Sequence, residues 1–321
     1  MTKKNPNLYE PGLYWKEHHK NLAIYLKKNP LSNFRNSKLK AIQAFSGSSI
    51  AHNKNYRPNF WKLHNFMKKI PFFNSFVNRY DYEISRIVSN YKALLDVHMR
   101  TLYYLLKDNY KFDFENIEDS LFGNPYSIII EKKRYSYSFL QACSRFVILN
   151  NNFKFSNINS IVELGGGYGA LAEIILKRYK HIKYTLIDLP NIVPFCEGYL
   201  TNTFHNEVLN MSHVYSNKKI NMNINKFKER IIISPNNFFE KFENYDLFIN
   251  EASFQEMDKM QVIYYCNIVS KNSKNLYLHN TQNSKFNDIK NFDEIFHNFT
   301  KNKDWINPFY PGYYGSIYNK K

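Results

Sequence analysis

The chain has 321 residues, 44% of them hydrophobic, which is enough to bury one or two cores. Its formal net charge of +17, from 44 basic and 27 acidic side chains, should attract an anionic partner such as a nucleotide-linked substrate, nucleic acid or an acidic membrane face. The sequence has no apolar window that could span a bilayer, no secretory signal, and only three scattered cysteines, so we expect a cytoplasmic protein without disulfides.

The first half of the chain is predicted to be mainly helical. The clearest helix covers Tyr82–Leu106, where apolar side chains recur at spacings of three and four residues. A turn is predicted at residues 122–125 (FGNP), because glycine and proline both break regular structure. A second helix is predicted over Ser136–Leu149. We expect residues 1–155 to form a helical region that serves as a lid or substrate wall.

After about residue 157 short apolar runs alternate with helical stretches, which is the pattern of a parallel sheet with crossover helices. Strands are predicted at Ser160–Leu164, Tyr184–Asp188, Arg230–Ser234, Asp246–Asn250 and Leu276–His279. Helices are predicted at Gly169–Arg178, Ile192–Leu200, Lys259–Val269 and Phe292–Phe299, followed by a hairpin within Trp305–Tyr318. The prediction for residues 156–321 is therefore a doubly wound, Rossmann-like α/β domain.

A glycine-rich loop, LGGGYGA, joins the first of these strands to its helix. Glycines allow the backbone to turn tightly and to approach a ligand without interference from Cβ atoms. The helix that follows offers free N–H groups and the positive end of its dipole. Asp188 ends the next strand, where a carboxylate can accept both hydroxyls of a ribose. Together these features predict a ligand that carries a nucleoside.

Two cofactors fit this description. The series G-x-G-x-x-A that begins at Gly165, with Asp188, nearly matches the dinucleotide fingerprint of NAD-dependent oxidoreductases. The alternative series, E-x-G-x-G-x-G, begins at Glu163 and places glycines at every second position. Tyr215 and Lys219 have the spacing of a dehydrogenase pair, but they lie in a polar stretch and lack a fitting upstream serine. We therefore favour the second series.

That second series resembles motif I of class I methyltransferases, which use S-adenosyl-L-methionine (SAM) and release S-adenosyl-L-homocysteine (SAH). The runs VELGGG and IDLP resemble small-molecule O-methyltransferases. Adding the GNP run at 123–125 and NEASFQEM at 250–257, the chain resembles the bacterial sugar O-methyltransferase family over roughly residues 123–280. The resemblance implies a Rossmann-like class I methyltransferase sheet with a helical N-terminal region.

The resemblance also implies roles for the residues within the matching motifs. The loop glycines would wrap the methionine and ribose, Glu163 would lie beside the methionine amino group, and Asp188 would hold the ribose hydroxyls. Asn236 would lie near the adenine, and Asn250 would end the strand where donor and acceptor meet. The implied cofactor-binding set is Glu163, Gly165, Gly166, Gly167, Gly169, Asp188, Leu189, Asn236 and Asn250.

Methyl transfer to an alcohol requires the hydroxyl to lose a proton, which a nearby general base can accept. Related plant-type enzymes have a His-Asp pair where this chain has Gln255 and Glu256. This departure leaves Glu256, His279 or Glu251 as the candidate base, or catalysis by proximity alone. Each candidate also has a structural alternative, as a helix-start carboxylate, a strand-end histidine or a ligand-orienting carboxylate. The predicted acceptor contacts are Asn124, Tyr135 and Tyr137.

The leading interpretation is O-methylation of a sugar hydroxyl on a nucleotide-linked sugar or a surface-polysaccharide precursor, because an anionic acceptor suits the positive charge. Methylation of another small molecule or of nucleic acid is the alternative, but for nucleic acid the chain has no amino-methylation motif and no recognisable RNA-binding module. A third is a non-catalytic binding protein, against which the intact glycines and Asp188 argue. We expect no metal and no membrane span, and the aromatic C-terminal segment leaves a homo-oligomer open.

Overall fold

The structure, a computed structural model, describes residues 8–46, 91–209, 222–223, 227–282, 284–307, 309 and 312–321. The chain divides into two compact units, one made of residues 1–32 and 144–321 and the other of residues 33–143. The boundary that the sequence predicts between residues 155 and 156 stays a prediction. The start of the helix predicted from Tyr82, and the pair Tyr215 and Lys219, lie outside the described residues.

The elements alternate between helix and strand from about residue 137 onward. The helices are α1 (Leu13–Lys28), α2 (Lys40–Ser46), α3 (Tyr91–Tyr104), α4 (Tyr137–Asn152), α5 (Ala170–Arg178), α6 (Val193–Phe204) and α7 (Lys259–Asn272). The strands are β1 (Ser127–Ile130), β2 (Lys133–Ser136), β3 (Ser160–Leu164), β4 (Lys183–Asp188), β5 (Val208–Leu209), β6 (Met222–Asn223), β7 (Ile231–Pro235), β8 (Phe242–Glu243), β9 (Tyr245–Glu251), β10 (Ser273–Thr281), β11 (Phe299–Ile306) and β12 (Tyr313–Lys320).

Eight strands form the main sheet in the order β11-β12-β10-β9-β3-β4-β7-β5. The six strands from β10 to β5 pair in parallel, whereas β12 runs antiparallel to both β10 and β11. Every residue of β3 is buried, as expected for a central parallel strand with both faces covered. The predicted parallel α/β sheet preceded by a helical region is confirmed.

The register of the central strands positions the candidate site. Leu164 on β3 lies beside Ile187 on β4 and Asn250 on β9, so the segments that follow these three positions emerge at the same edge of the sheet. Parallel α/β sheets bind ligands beyond the carboxyl ends of their strands. The residues that follow β3, β4 and β9 are therefore brought together at the edge where the sequence predicts the cofactor.

Local sequence signals explain where the helices of this unit begin. Helix α7 begins with a capping box, in which the Asp258 side chain accepts from the Gln261 amide and the Gln261 side chain accepts from the Asp258 amide. Helix α5 begins directly after Gly169, which has a left-handed φ of 96°. Helix α6 carries a proline in its first turn, where no backbone donor is lost.

The unit of residues 33–143 contains a short hairpin that the sequence did not predict. Strands β1 and β2 are only four residues long, and the turn residues Glu131 and Lys132 have positive φ angles of 48° and 70°. The unit also buries Arg35, whose guanidinium contacts the Asp119 carboxylate at 3.1 Å. An ion pair of this kind specifies how the surrounding chain packs more than it adds net stability.

One predicted helix is wrong. Residues 292–298 form turns, and Phe299 begins β11. The Asn291 side chain accepts from the backbone amide of Asp293 at 3.0 Å, and such local side-chain bonds compete with helix formation. Phe296 and Phe299 are nevertheless buried in the main core, so their apolar spacing reflects burial of a turn and of the first residue of β11. The late hairpin is confirmed, since β11 and β12 pair antiparallel.

Candidate functional site

The glycine loop between β3 and α5 depends on glycine for both its conformation and its space. Three of its residues have left-handed φ angles of 79°, 61° and 96°, namely Gly165, Gly167 and Gly169. A Cβ on Gly165 would overlap the Ser253 side chain, and a Cβ on Gly166 would overlap the Glu163 carboxylate. At Gly165 and Gly166 the loop is thus packed against the segment after β9 and the Glu163 carboxylate, with no room for a Cβ atom.

The Asp188 side chain connects this loop to the end of β4 by hydrogen bonds. One carboxylate oxygen accepts from the Gly167 amide at 2.8 Å, and the other accepts from the Leu189 amide at 2.7 Å. Burial raises the pKa of Asp188 to about 7, although the two backbone donors oppose this shift. Each oxygen can accept a further hydrogen bond, so the carboxylate can bind paired hydroxyls once it is ionised.

Glu163 is a second buried carboxyl at the same edge. Its Oε2 accepts from the Tyr184 hydroxyl at 2.9 Å. Burial raises the pKa of Glu163 to about 8, with the charges of Glu251 and Asp188 acting in the same direction and that of Arg145 against it. The side chain is therefore a neutral acid near pH 7 that a positively charged ligand group would help to ionise.

Asn236 offers an unsatisfied acceptor in the turn that follows β7. Its amide nitrogen donates to the Tyr9 carbonyl and to the Tyr265 hydroxyl, both at 3.1 Å. Its side-chain oxygen is buried, and no described residue donates to it. Because a buried acceptor without a partner is costly, this oxygen suits a ligand that brings its own donor, as the amino group of adenine does.

Asn250, in contrast, has its hydrogen-bonding groups engaged by the protein. Its amide nitrogen donates to the Leu164 carbonyl at 3.1 Å and to the Ser253 hydroxyl at 2.6 Å, and its oxygen accepts from Phe254 and Asn280. Asn250 is fully buried. These contacts favour an indirect role, in which Asn250 fixes the segment after β9 against the glycine loop.

Glu251 and His279 form a closed polar group at the ends of β9 and β10. The His279 Nδ1 lies 3.1 Å from Glu251 Oε1, and its Nε2 lies 2.7 Å from the Asn307 amide nitrogen. Arg145 approaches Glu251 at 3.5 Å. Burial alone would raise the pKa of Glu251, but Arg145 and His279 outweigh it and hold that pKa below its usual value. With both ring nitrogens engaged, this pair fits an orienting role better than that of a base.

Glu256 is a third carboxyl at this edge whose pKa is raised. It ends a short 3-10 turn, Phe254–Glu256, is half-buried, and its Oε2 accepts from the Trp15 indole at 2.9 Å. Burial raises the pKa of Glu256 to about 7, with the Trp15 bond opposing the shift and the charge of Asp188 adding to it. A carboxyl that titrates near the working pH is well matched to proton transfer.

The predicted acceptor contacts all lie in the unit of residues 33–143. The Asn124 amide donates to the Asn33 side chain at 2.8 Å. Tyr135 is fully buried, with its ring 5.3 Å from that of Tyr103, and Tyr137 is also buried. Their role as acceptor contacts stays a prediction.

The sequence did not single out several residues that the structure brings to the site. Trp15, Arg145 and Ser253 contact predicted site residues, although the first of these lies 241 positions from its partner Glu256. No motif or spacing marks Trp15 or Arg145, and Ser253 lies within the run NEASFQEM at 250–257 but was given no role there. The described residues contain no group of three or more metal-ligating side chains that could hold an ion. Nor does the described part of the chain include a helix long and apolar enough to cross a membrane.

Comparison with known proteins finds a family match to an O-methyltransferase domain over residues 103–215. Acetylserotonin O-methyltransferase 1 of Oryza sativa subsp. japonica is 51% identical over 39 residues, which cover 12% of this chain and 11% of that protein. O-methyltransferase 7 of Dictyostelium discoideum is 24% identical over 189 residues, covering 56% of this chain and 45% of that protein. The chain thus spans less than half the length of these curated relatives.

Among solved structures, the mitomycin 7-O-methyltransferase MmcR is similar with a TM-score of 0.42 and 14% identity, covering 58% of this chain and 55% of that chain. Human N-acetylserotonin methyltransferase is similar with a TM-score of 0.35 and 15% identity, and the match covers 57% of this chain and 55% of that chain. Residues 103–215 thus match the model of an O-methyltransferase domain, and the chain carries the parallel α/β sheet that its sequence predicts.

Proposed function

We propose that the chain is a SAM-dependent O-methyltransferase that acts on a hydroxyl of a small molecule. The observation that carries the proposal is the left-handed glycine loop whose Gly167 amide is bound to Asp188. In this proposal Asp188 accepts the ribose hydroxyls, the free oxygen of Asn236 accepts the adenine amino group, and Glu163 accepts the methionine ammonium group. When bound, SAM supplies an activated methyl group on its sulfonium.

The charges at this edge favour SAM over a dinucleotide. Four carboxyl groups follow or end the central strands, namely Glu163, Asp188, Glu251 and Glu256. Arg145 is paired with Glu251 and so does not offset the others. Burial keeps Glu163 mostly protonated near pH 7, but a ligand with a sulfonium and an ammonium group would favour the ionised form of these carboxyls, whereas a pyrophosphate would gain nothing from them. This argument disfavours the NAD-dependent oxidoreductase.

Glu256 is the residue that we assign as general base. As the acceptor oxygen gains the methyl group that SAM would supply, with loss of the carbon–sulfur bond, the Glu256 carboxylate would take the hydroxyl proton. SAH and the protonated carboxyl remain, and the proton is then lost to solvent. Glu251, held ionised by Arg145 and bonded to His279, would orient this region without taking the proton.

For the acceptor we propose a sugar hydroxyl on a nucleotide-linked sugar or surface-polysaccharide precursor. The motif resemblance over residues 123–280 and the net charge of +17 support this choice, because such acceptors are anionic. A cytoplasmic reaction fits that substrate, and homo-oligomerisation stays a prediction. No nucleic-acid partner is proposed.

An aromatic hydroxyl is the second candidate acceptor, and two observations favour it. Two further relatives, both from Catharanthus roseus, are named as a myricetin and a tabersonine 16-O-methyltransferase. In addition, the rings of Tyr14, Trp15, His18 and Phe286 contact one another beside Glu256, with centroids 5.1 to 5.7 Å apart. Such a cluster can stack against a planar acceptor.

Calorimetric titration with SAH and, separately, with NADH tests the cofactor. Binding of SAH alone supports the proposal, whereas binding of NADH alone would overturn it. SAH release is then measured with nucleotide sugars and with flavonols or indoles as two separate acceptor panels. We expect Glu256→Gln to keep SAH affinity and lose most turnover, while the exposed control Glu294→Gln loses neither. Full turnover in Glu256→Gln would remove Glu256 as the base.

A further inference from the structure

We propose that Trp15 is a positioning residue, whose indole N–H holds the Glu256 carboxylate in one orientation and links its protonation to the N-terminal strap. The strap is the segment Leu8–Lys28, which includes helix α1. The role assigned to Glu256 as base rests on the proposed function, but the contact between the two side chains does not. Trp15 is not proposed to touch the reacting atoms.

Backbone contacts hold both the turn that carries Glu256 and the start of α1, which carries Trp15. The Glu256 amide donates to the Ser253 carbonyl at 3.0 Å, which holds the 3-10 turn. On the strap, Gly12 lies at the start of α1, and a Cβ there would come within 2.9 Å of the Glu256 carbonyl oxygen. The absence of a side chain at Gly12 thus allows α1 to begin close to the Glu256 backbone, and Trp15 follows one turn later.

The strap is also anchored on either side of Trp15. The Glu10 carbonyl accepts from Gln261 at 2.8 Å, and the Tyr9 carbonyl accepts from Asn236 at 3.1 Å. Beyond Trp15, the His19 carbonyl accepts from Asn191 at 3.0 Å. Asn191 follows β4, Asn236 follows β7 and Gln261 lies on α7. The strap is therefore hydrogen-bonded to three segments of its own unit.

A hydrogen bond from the indole favours the charged form of the carboxyl over the neutral form. Burial and, after it, the charge of Asp188 at the end of β4 raise the pKa of Glu256. Burial and, after it, the charge of Glu256 raise the pKa of Tyr14 on α1. His18 contacts the Trp15 ring, and Asp258 is engaged in the capping box of α7. Tyr313 on β12 faces Tyr14. Removing the indole N–H should therefore move the pKa of Glu256 upward.

The contact is tested by following the ¹⁵N-labelled indole resonances of the full chain between pH 5.5 and 9, with Trp15→Phe used for assignment. We expect the Trp15 resonance to titrate near pH 7 in the native chain and to lose that titration in Glu256→Gln. Trp305 is the internal control, because no described residue accepts from its indole nitrogen. A Trp15 resonance that does not move, or that titrates equally in Glu256→Gln, would overturn the proposal.

The second arm measures the pH profile of kcat/KM for Trp15→Phe, which keeps an aromatic ring but lacks the donor. We expect about a tenfold loss at pH 6.5 and little loss at pH 9, the pattern of a base whose pKa has risen by about one pH unit. SAH affinity is measured in parallel to show that the variant is folded. An unchanged profile would contradict the inference, whereas full turnover in Glu256→Gln would contradict only the proposed base.

Discussion

Substitution of Glu163 with Gln should make the fold more stable at neutral and alkaline pH. Glu163 is buried, and Gln has nearly the same shape. The Tyr184 hydroxyl, which donates to Glu163 at 2.9 Å, can donate to the Gln carbonyl in the same way. The substitution therefore removes a titratable group while leaving its hydrogen bond in place, so that the change in stability reports the protonation of Glu163.

The magnitude follows from the pKa of Glu163, which burial raises from 4.5 to about 8. Between these values the unfolded chain loses the proton while the folded chain keeps it, so stability falls as pH rises, by 1.36 kcal/mol per pH unit. Below pH 4.5 this cost is absent. The native chain should therefore be less stable than Glu163→Gln by roughly 3 kcal/mol at pH 7 and by an upper limit of roughly 5 kcal/mol above pH 8.

Urea unfolding of both proteins at several values between pH 5.5 and 8.5 measures this difference. We expect the stability advantage of Glu163→Gln to grow by about 3 kcal/mol across that range. Glu294→Gln serves as the control, because its side chain is exposed and should give no difference that varies with pH. A constant difference across the range, or a variant that is less stable at high pH, would refute the reasoning.

Four further outcomes are expected. Asp188→Ala should weaken SAH binding about 100-fold in calorimetry without unfolding the chain, since it removes hydrogen bonds to a charged acceptor; unchanged affinity would contradict the ribose role. Gly165→Ala should lower the free energy of unfolding by about 2–4 kcal/mol, because φ is 79° and the new Cβ would overlap Ser253; a neutral effect in urea would contradict the packing. Asn236→Leu should lower SAH affinity more than tenfold, because it removes the buried acceptor oxygen, whereas the exposed control Glu294→Gln should leave the affinity unchanged; an unchanged affinity in Asn236→Leu would contradict the adenine contact. SAM binding at pH 7 should release protons, because the ligand would ionise Asp188 and Glu163, whose pKa values lie at about 7 and 8; binding enthalpies that do not vary with the ionisation enthalpy of the buffer would contradict this linkage.

The sequence predicted the central strands well because buried parallel strands read as unbroken apolar runs bounded by polar residues. Strand β3 begins and ends where it was predicted, at Ser160–Leu164. The hairpin β1–β2 was missed because its strands have four residues each, and its turn residues carry no glycine or asparagine signal. The helix predicted at Phe292–Phe299 failed because local side-chain bonds near Asn291 compete with helical ones.

Whether a site residue could be predicted likewise depended on its distance in sequence from the residues that it contacts. The glycine loop and Asp188 could be predicted because the residues that build them lie within 25 positions of one another and follow consecutive strands. Trp15 and Arg145 could not, since their partners lie 241 and 106 positions away. The engagement of both ring nitrogens of His279 also depends on Asn307, which joins the site only through the C-terminal hairpin.

In the proposed function Glu256 serves as the base, whereas Gln255 stands where related plant-type enzymes have a histidine. A neighbouring anion such as Asp188 raises the pKa of a carboxyl, because it disfavours the carboxylate form. The same anion, with burial, raises the pKa of Glu256 to about 7, where a carboxyl is both partly ionised and sufficiently basic. The indole of Trp15 then limits the rise. In this proposal the groups that would bind a cationic cofactor also set the pKa of the proposed base.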